Sequence, residues 1–278
     1  STTPHVVLQL FRICGTLRWL RVTRHNSKYR YGERGVPAAG AVLKPIGREL
    51  CWVAQGSGKS MQDIRLIGLD LDGTLLNTLA DLASSVNHAL NEYGMPQRSV
   101  DQVREFVGNG VRKLIERAVP DNTDTDVTDK VFENFKNYYA EHCRDCTRPY
   151  AGIMDLLKNL KFQNIGTAIV SNKADFAVKK LSDSYFGTLI DVAIGEREGV
   201  RKKPAPDSLV EAVRVLNAKT PVYVGDSDVD VLTAKNAGLP GAFVTWGFRT
   251  AGVLIGAGAR ENRIVNSAAE LYDLLERD

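Results

Sequence analysis

Long apolar runs are missing. No stretch of eighteen or more apolar residues occurs among the 278, so no membrane-spanning helix is expected. Cysteine is scarce as well. Cys14, Cys51, Cys143 and Cys146 do not suggest a secreted disulfide framework, and Cys143 and Cys146 form a single C-x-x-C, weak ground for zinc or redox chemistry. Free thiols in a reducing cytosol are expected, and with them a cytoplasmic location. Acidic residues are nearly absent from the first sixty positions, where Glu33 and Glu49 face ten Lys/Arg for a net of +8. The whole chain carries +3, so residues 61–278 carry −5. The rest is ordinary for a globular protein, 44% apolar and 25% charged, with enough chain to bury a proper core.

Residues 1–60 also lack sustained alternation or helical spacing, and they end in the linker-like GSGKS at 56–60. A phosphate-binding P-loop would need glycine five positions before Gly58, and Val53 stands there. The segment reads as a basic extension outside a native domain that starts at Met61. An organelle transit peptide is the alternative. Charge alone would permit nucleic acid, but no reader module is visible, so neither nucleic acid nor a membrane is expected as a partner.

From residue 61 onward, short apolar runs alternate with helical patterns. IRLIGLD (64–70), IGTAIVSN (165–172), DVAIGE (191–196), PVYVGDS (221–227) and GAFVTWG (241–247) read as buried strands. IMDLLKNLK, DSLVEAVRVLN, VDVLTAKNAG and the closing AAELYDLLERD read as helices, with Gly238 as a C-cap. Strand–helix–strand order implies an α/β fold, a doubly wound, Rossmann-like parallel sheet with helices on both faces. About seventy residues between the first strand and Pro149 break the rhythm with helical patterns only, too long for an ordinary crossover. The expected division is therefore a core of 61–78 and 149–278, with a helical cap inserted at 79–148.

Ligands of open parallel sheets sit beyond the carboxyl ends of the strands. Asp70 and Asp72 fall there, with Ser171, Asn172 and Lys173 from a second strand, Asp226, Asp228 and Asp230 from a later one, and Lys202 and Lys203 from a loop. Singly, each has a structural reading: an Asp-Gly turn, a Ser/Asn helix cap, a solvated lysine pair. Together they fit phosphoryl transfer through an aspartyl-phosphate. Asp70 would attack phosphorus, Asp72 would act as general acid and base, and Mg²⁺ would make two neighbouring carboxylates tolerable. Thr74, Ser171, Lys203 and backbone N–H groups would hold the transferring oxygens.

These motifs, taken together, resemble the haloacid dehalogenase superfamily of phosphohydrolases, most closely its phosphoglycolate phosphatase branch with a helical cap. The resemblance rests on DLDGTLLNT (70–78), SNK (171–173), Lys203 before Pro204, and GDSDVD (225–230), and spans essentially 61–278. It implies Asp70 as nucleophile, Asp72 as acid/base, Ser171 as the phosphate-binding hydroxyl and Lys203 as the charge-stabilising lysine. It also implies Mg²⁺ held by the Asp70 and Asp226 side chains and the Asp72 carbonyl, with Asp230 as outer-shell support. Asn77 stands where relatives commonly carry aspartate. VGNGVRKLI (107–115) resembles the loop such enzymes lower over the substrate, with Gly108 and Gly110 allowing close approach and Asn109 and Arg112 offering polar contacts. A small phosphorylated metabolite is the expected partner, 2-phosphoglycolate the best guess, and a monomer or homodimer the expected assembly. A phosphosugar mutase of the same superfamily and a catalytically idle binding relative are the alternatives.

Overall fold

The computed structural model describes residues 65–277 with their side chains and, before them, the backbone of five strands. The chain divides into two compact units, 1–60 and 61–278. In the first, β1 (Val6–Ile13), β2 (Thr16–His25) and β3 (Lys28–Tyr31) pair antiparallel, as do β4 (Ala41–Ile46) and β5 (Glu49–Ala54). Strands there are not expected from the sequence pattern. VVLQLF and TLRWLRVT nevertheless carry the β-branched and aromatic residues that favour extended backbone without strict alternation. GSGKS and the expected start at Met61 lie outside the described residues.

In the second unit, β6 (Arg65–Leu69) is flanked by β9 (Gly166–Ala174) and β11 (Thr220–Gly225). Further out lie β10 (Val192–Glu196) on one side and β12 (Gly241–Val244) and β13 (Ile264–Val265) on the other, in the order β10-β9-β6-β11-β12-β13. All five pairings are parallel. The doubly wound reading is visible residue by residue. Leu66, Ala168, Val170 and Tyr223 bury into one apolar cluster, while their neighbours Ile67, Ile169, Val222 and Val224 bury into the other. Helices α5 (Ile153–Phe162), α6 (Asp175–Tyr185) and α10 (Ala268–Arg277) cover one face, and α7 (Asp207–Val215), α8 (Asp228–Ala237) and α9 (Ala251–Gly256) the other. Both faces are covered, so the strands are continuous apolar runs. Gly238 does close α8 in the left-handed conformation. β13 was not anticipated; two residues are too short for a periodic signal.

After β6 the chain leaves through β7 (Leu76–Asn77) into α1 (Leu79–Glu92), α2 (Val100–Phe106), α3 (Val111–Ala118) and α4 (Thr125–His142), and returns through β8 (Arg148–Pro149). β7 and β8 pair antiparallel, so exit and return form one two-stranded ribbon at the base of the cap. Asp81 secures that base. Its buried carboxylate accepts from the Cys146 and Thr147 amides at 2.8 and 2.9 Å and from Thr147 Oγ1 at 2.7 Å. Cap side chains such as Leu82, Ile115, Val131 and Phe135 share the apolar cluster of the α5 face. Cys143, buried, and Cys146, exposed, are free. Among the described residues no helix is long and apolar enough to cross a membrane.

Candidate active site

Chain order reverses about β6: it runs outward through β9 and β10, then returns to build β11, β12 and β13 on the other side. Crevices open where such a reversal occurs. Here the carboxyl ends of β6, β9 and β11 deliver Asp70, Asp72, Ser171, Asn172, Lys173 and Asp226 to one cavity of about 40 Å³, with Lys203 in its wall and Gly108 and Gly110 of the cap as its roof. At about 10–15 Å³ per water-sized sphere, that is space for roughly three waters.

The two aspartates that share a motif do not share a cation. Lys203 Nζ lies 2.9 Å from Asp70 Oδ1, whereas Lys173 Nζ lies 3.0 and 2.9 Å from the two oxygens of Asp72. Between them Leu71 is fully buried and anchors the turn. Burial, with Asp230 and Asp72 nearby, outweighs Lys203 and lifts the Asp70 carboxyl to about 6. Despite the ion pair, Asp70 Oδ1 receives no well-directed hydrogen bond.

Asp226 is buried between Thr74, which donates to Oδ1 at 2.9 Å, and the Phe248 amide, which donates to Oδ2 at 2.7 Å. Burial first, then the charges of Asp230 and Asp70, hold its carboxyl well above the usual range. A Cβ on Gly73, which sits at φ +85°, would meet Asp226 Oδ2 at 2.3 Å, so only glycine lets the loop press against this carboxylate. Oxygens of Asp70, Asp226 and Asp230 lie within 4.8 Å of one another. Asp230 is already spent: Oδ1 accepts from Lys203 Nζ at 2.8 Å and Tyr223 Oη at 2.9 Å. Its Oδ2 takes the Asp226 and Ser227 amides and the Ser227 hydroxyl. That leaves Asp70 and Asp226 as the pair able to hold a cation. Asp70 Oδ1 keeps lone pairs free of directed hydrogen bonds, and burial beside other carboxylates raises the Asp226 carboxyl, so this pair fits a divalent cation that would offset the charge gathered there.

Several expected contacts are made elsewhere. Thr74 has one hydroxyl proton and gives it to Asp226, so it supports the cation pair instead of holding phosphate. The Asn172 amide donates to Gly108 O at 3.1 Å and Lys203 O at 2.9 Å, which ties cap to core and leaves no side-chain donor for an anion. Asn109 accepts from Arg117 at 2.8 Å, and Arg112 is held by Glu116 and Asp129 while its guanidinium lies over the Phe132 ring. Neither lines the cavity, because Arg117 holds Asn109 and two cap carboxylates hold Arg112. Gly108 and Gly110 do reach it. Ser171 is buried and lines the cavity as expected.

Two roles are not legible in the sequence. Lys173 is placed at the sheet rim with no role assigned, and the structure pairs it with Asp72. Arg249, in a loop without a pattern, donates to the carbonyls of Arg104 at 2.7 Å, Glu105 at 3.3 Å and Val107 at 2.5 Å, gripping the end of α2 from the core side.

The model of the haloacid dehalogenase-like hydrolases matches residues 67–244. A phosphoglycolate phosphatase of Aquifex aeolicus is 32% identical over 192 residues, 66% of this chain and 86% of the relative. One of Neisseria meningitidis is 30% identical over 225 residues, 78% and 96% of the two chains. The crystal structure of a predicted phosphoglycolate phosphatase from Haemophilus somnus superimposes with a TM-score of 0.71 at 28% identity, covering 78% of this chain and 100% of the other. The paired carboxylates at the end of β6, Lys203, and the aspartate beyond β11 are thus held by a chain that belongs to the haloacid dehalogenase-like hydrolases and hydrolyses phosphoric monoesters.

Proposed function

We propose that the protein hydrolyses a small phosphomonoester, with 2-phosphoglycolate as the favoured substrate, by a Mg²⁺-dependent aspartyl-phosphate mechanism. The observation that carries this reading is the pairing of Asp70 and Asp72 with separate lysines inside one small cavity. Asp70, close to Lys203, is the nucleophile. Asp72, on the other side of the turn, gives a proton to the leaving oxygen and later takes one from water. Lys203 draws in negative charge, and Ser171 lines the phosphate subsite. Asp70, Asp226 and the Asp72 carbonyl would hold the metal, which supplies charge neutralisation between anionic nucleophile and anionic substrate.

Substrate size follows from the roof. Asn172 and Arg249 seat the cap on the core, and Gly108 and Gly110 roof the cavity, which supports a reaction closed off from bulk water with a small leaving group under the roof. The intact set of Asp70, Asp72, Ser171, Lys203 and Asp226 also argues against an idle binding protein. Phosphate release should be measured on 2-phosphoglycolate, glucose 6-phosphate and p-nitrophenyl phosphate, with Mg²⁺ or EDTA, for wild type and Asp70→Asn. The expected outcome is metal-dependent turnover, fastest on 2-phosphoglycolate and abolished by the substitution. Asp70→Asn retaining more than a few per cent of the rate would refute the mechanism.

A further inference from the structure

Lys173 is almost fully enclosed: its side chain is 2% exposed, and that of its partner Asp72 is 14% exposed. Its ammonium has three N–H groups. Two point at the two oxygens of Asp72, at 3.0 and 2.9 Å, and the ammonium lies 4.7 Å from the centre of the Tyr139 ring in α4. Two of the three N–H groups are thus committed to Asp72, and an aromatic ring lies beside the ammonium. A buried ammonium on an aromatic face is fixed in position, since moving it costs both the cation–π attraction and the ion pair. The carboxylate it holds by both oxygens is fixed with it. Arg249 is similarly spent on cap carbonyls, but it touches neither aspartate.

We propose that Lys173 is a positioning residue for Asp72, and that Tyr139 of the cap completes the clamp by seating the ammonium. The inference rests on the aspartyl-phosphate reading, in which Asp72 is the acid. As the bond from Asp70 oxygen to phosphorus forms, the phosphorus–alkoxide bond breaks and its electron pair stays on the leaving oxygen. That oxygen takes the proton of the Asp72 carboxyl. Water then attacks phosphorus, returns a proton to Asp72 and frees Asp70. Lys173 keeps its three protons throughout and sets where the Asp72 oxygens lie. Because Tyr139 belongs to the inserted helices and Lys173 to β9, the acid is aligned only when cap and core are seated on each other. The sequence separation between Lys173 and Tyr139 or Asp72 hides this arrangement from any local pattern.

Leaving-group chemistry separates this role from a merely structural one. 2-Phosphoglycolate releases an alkoxide and needs the acid. Acetyl phosphate is of similar size but releases acetate, which needs no proton. General acid catalysis contributes about 10²–10⁴-fold. Hydrolysis of the aspartyl-phosphate is common to both substrates, so the comparison is made on kcat/KM, which reports the transfer step alone: Lys173→Met is expected to lower kcat/KM on 2-phosphoglycolate at least about tenfold more than on acetyl phosphate. Lys173→Arg, which keeps the charge, should recover part of the difference. Tyr139→Leu leaves both charges in place and should show the same split at smaller size; it carries the test if Lys173→Met does not fold. Equal losses on both substrates, in variants whose melting temperatures show them folded, would assign Lys173 to structure and overturn the proposal, as would wild-type rates on 2-phosphoglycolate. Asp70→Asn on the same two substrates distinguishes the outcomes: if it keeps turning them over, the aspartyl-phosphate reading itself has failed, and this inference with it.

Discussion

Removing the charge of Asp70 should stabilise the metal-free protein while destroying its activity. The carboxyl is buried, and its ordinary value of 3.8 is raised to about 6 although Lys203 stands 2.9 Å away. In the folded state the group binds its proton more tightly than in the unfolded chain. Its favourable contribution is therefore complete below pH 3.8 and is lost as pH rises through 6. Above that, ionising it costs the fold about 3 kcal/mol at 1.36 kcal/mol per pH unit of displacement. Asparagine resembles the protonated carboxyl in shape and carries no charge. With EDTA at pH 7.5, Asp70→Asn should exceed wild type by roughly 3 kcal/mol in urea unfolding, or about 6–12 °C in Tm for a chain of this size. The gap should fall to about half at pH 5 and below about 1 kcal/mol at pH 4, because wild type then protonates. Mg²⁺ should narrow it at pH 7.5 by raising wild type alone, since binding to the folded state adds stability. A metal-free Asp70→Asn no more stable than wild type at pH 7.5 would refute the reasoning, and with it the claim that these carboxylates await a cation.

Four other outcomes are expected. Arg249→Met removes charged donors to three carbonyls at the end of α2 and should lower kcat/KM on 2-phosphoglycolate about tenfold or more, at roughly 1.5–3 kcal/mol per such bond. Asn109→Ala, outside the cavity, should change it little, and steady-state kinetics on both variants checks the assignment. Asp81→Ala strands the buried Thr147 amide and hydroxyl and the part-buried Cys146 amide at the base of the cap, and should cost about 2–3 kcal/mol in thermal or urea unfolding. A chain starting at Met61 should keep the Tm and kcat of the full chain; a large loss in either would show that the basic unit packs on the catalytic one.

Much of the chemistry was legible in the linear chain. A strand buried on both faces must be an apolar run, and polar groups just past its end have to meet whatever the neighbouring strand ends carry. Asp70, Asp72, Ser171, Lys203 and Asp226 could be picked out on that ground, because parallel strands bring their carboxyl ends to one edge whatever their order. The helical insertion was legible for a similar reason, seventy residues with one period and no other. Strand order, the strands of residues 6–54 and the brief β13 were not, since pairing partners far apart leave no local signal.

The division of labour among polar side chains was decided by the tertiary structure alone. Thr74 and Asn172 were the right residue types near the right place, but each has few protons, and Asp226 and the carbonyls of Gly108 and Lys203 take them. Arg112 had the charge to meet a substrate, and Glu116 and Asp129 hold it on the cap surface instead. Lys173 could be placed at the rim but given no role, and it is buried against Asp72 and Tyr139. The reason is the same in each case. A sequence states how many hydrogen bonds a side chain can make, and the folded surroundings, assembled from residues as far as 152 positions away, determine which partner receives them.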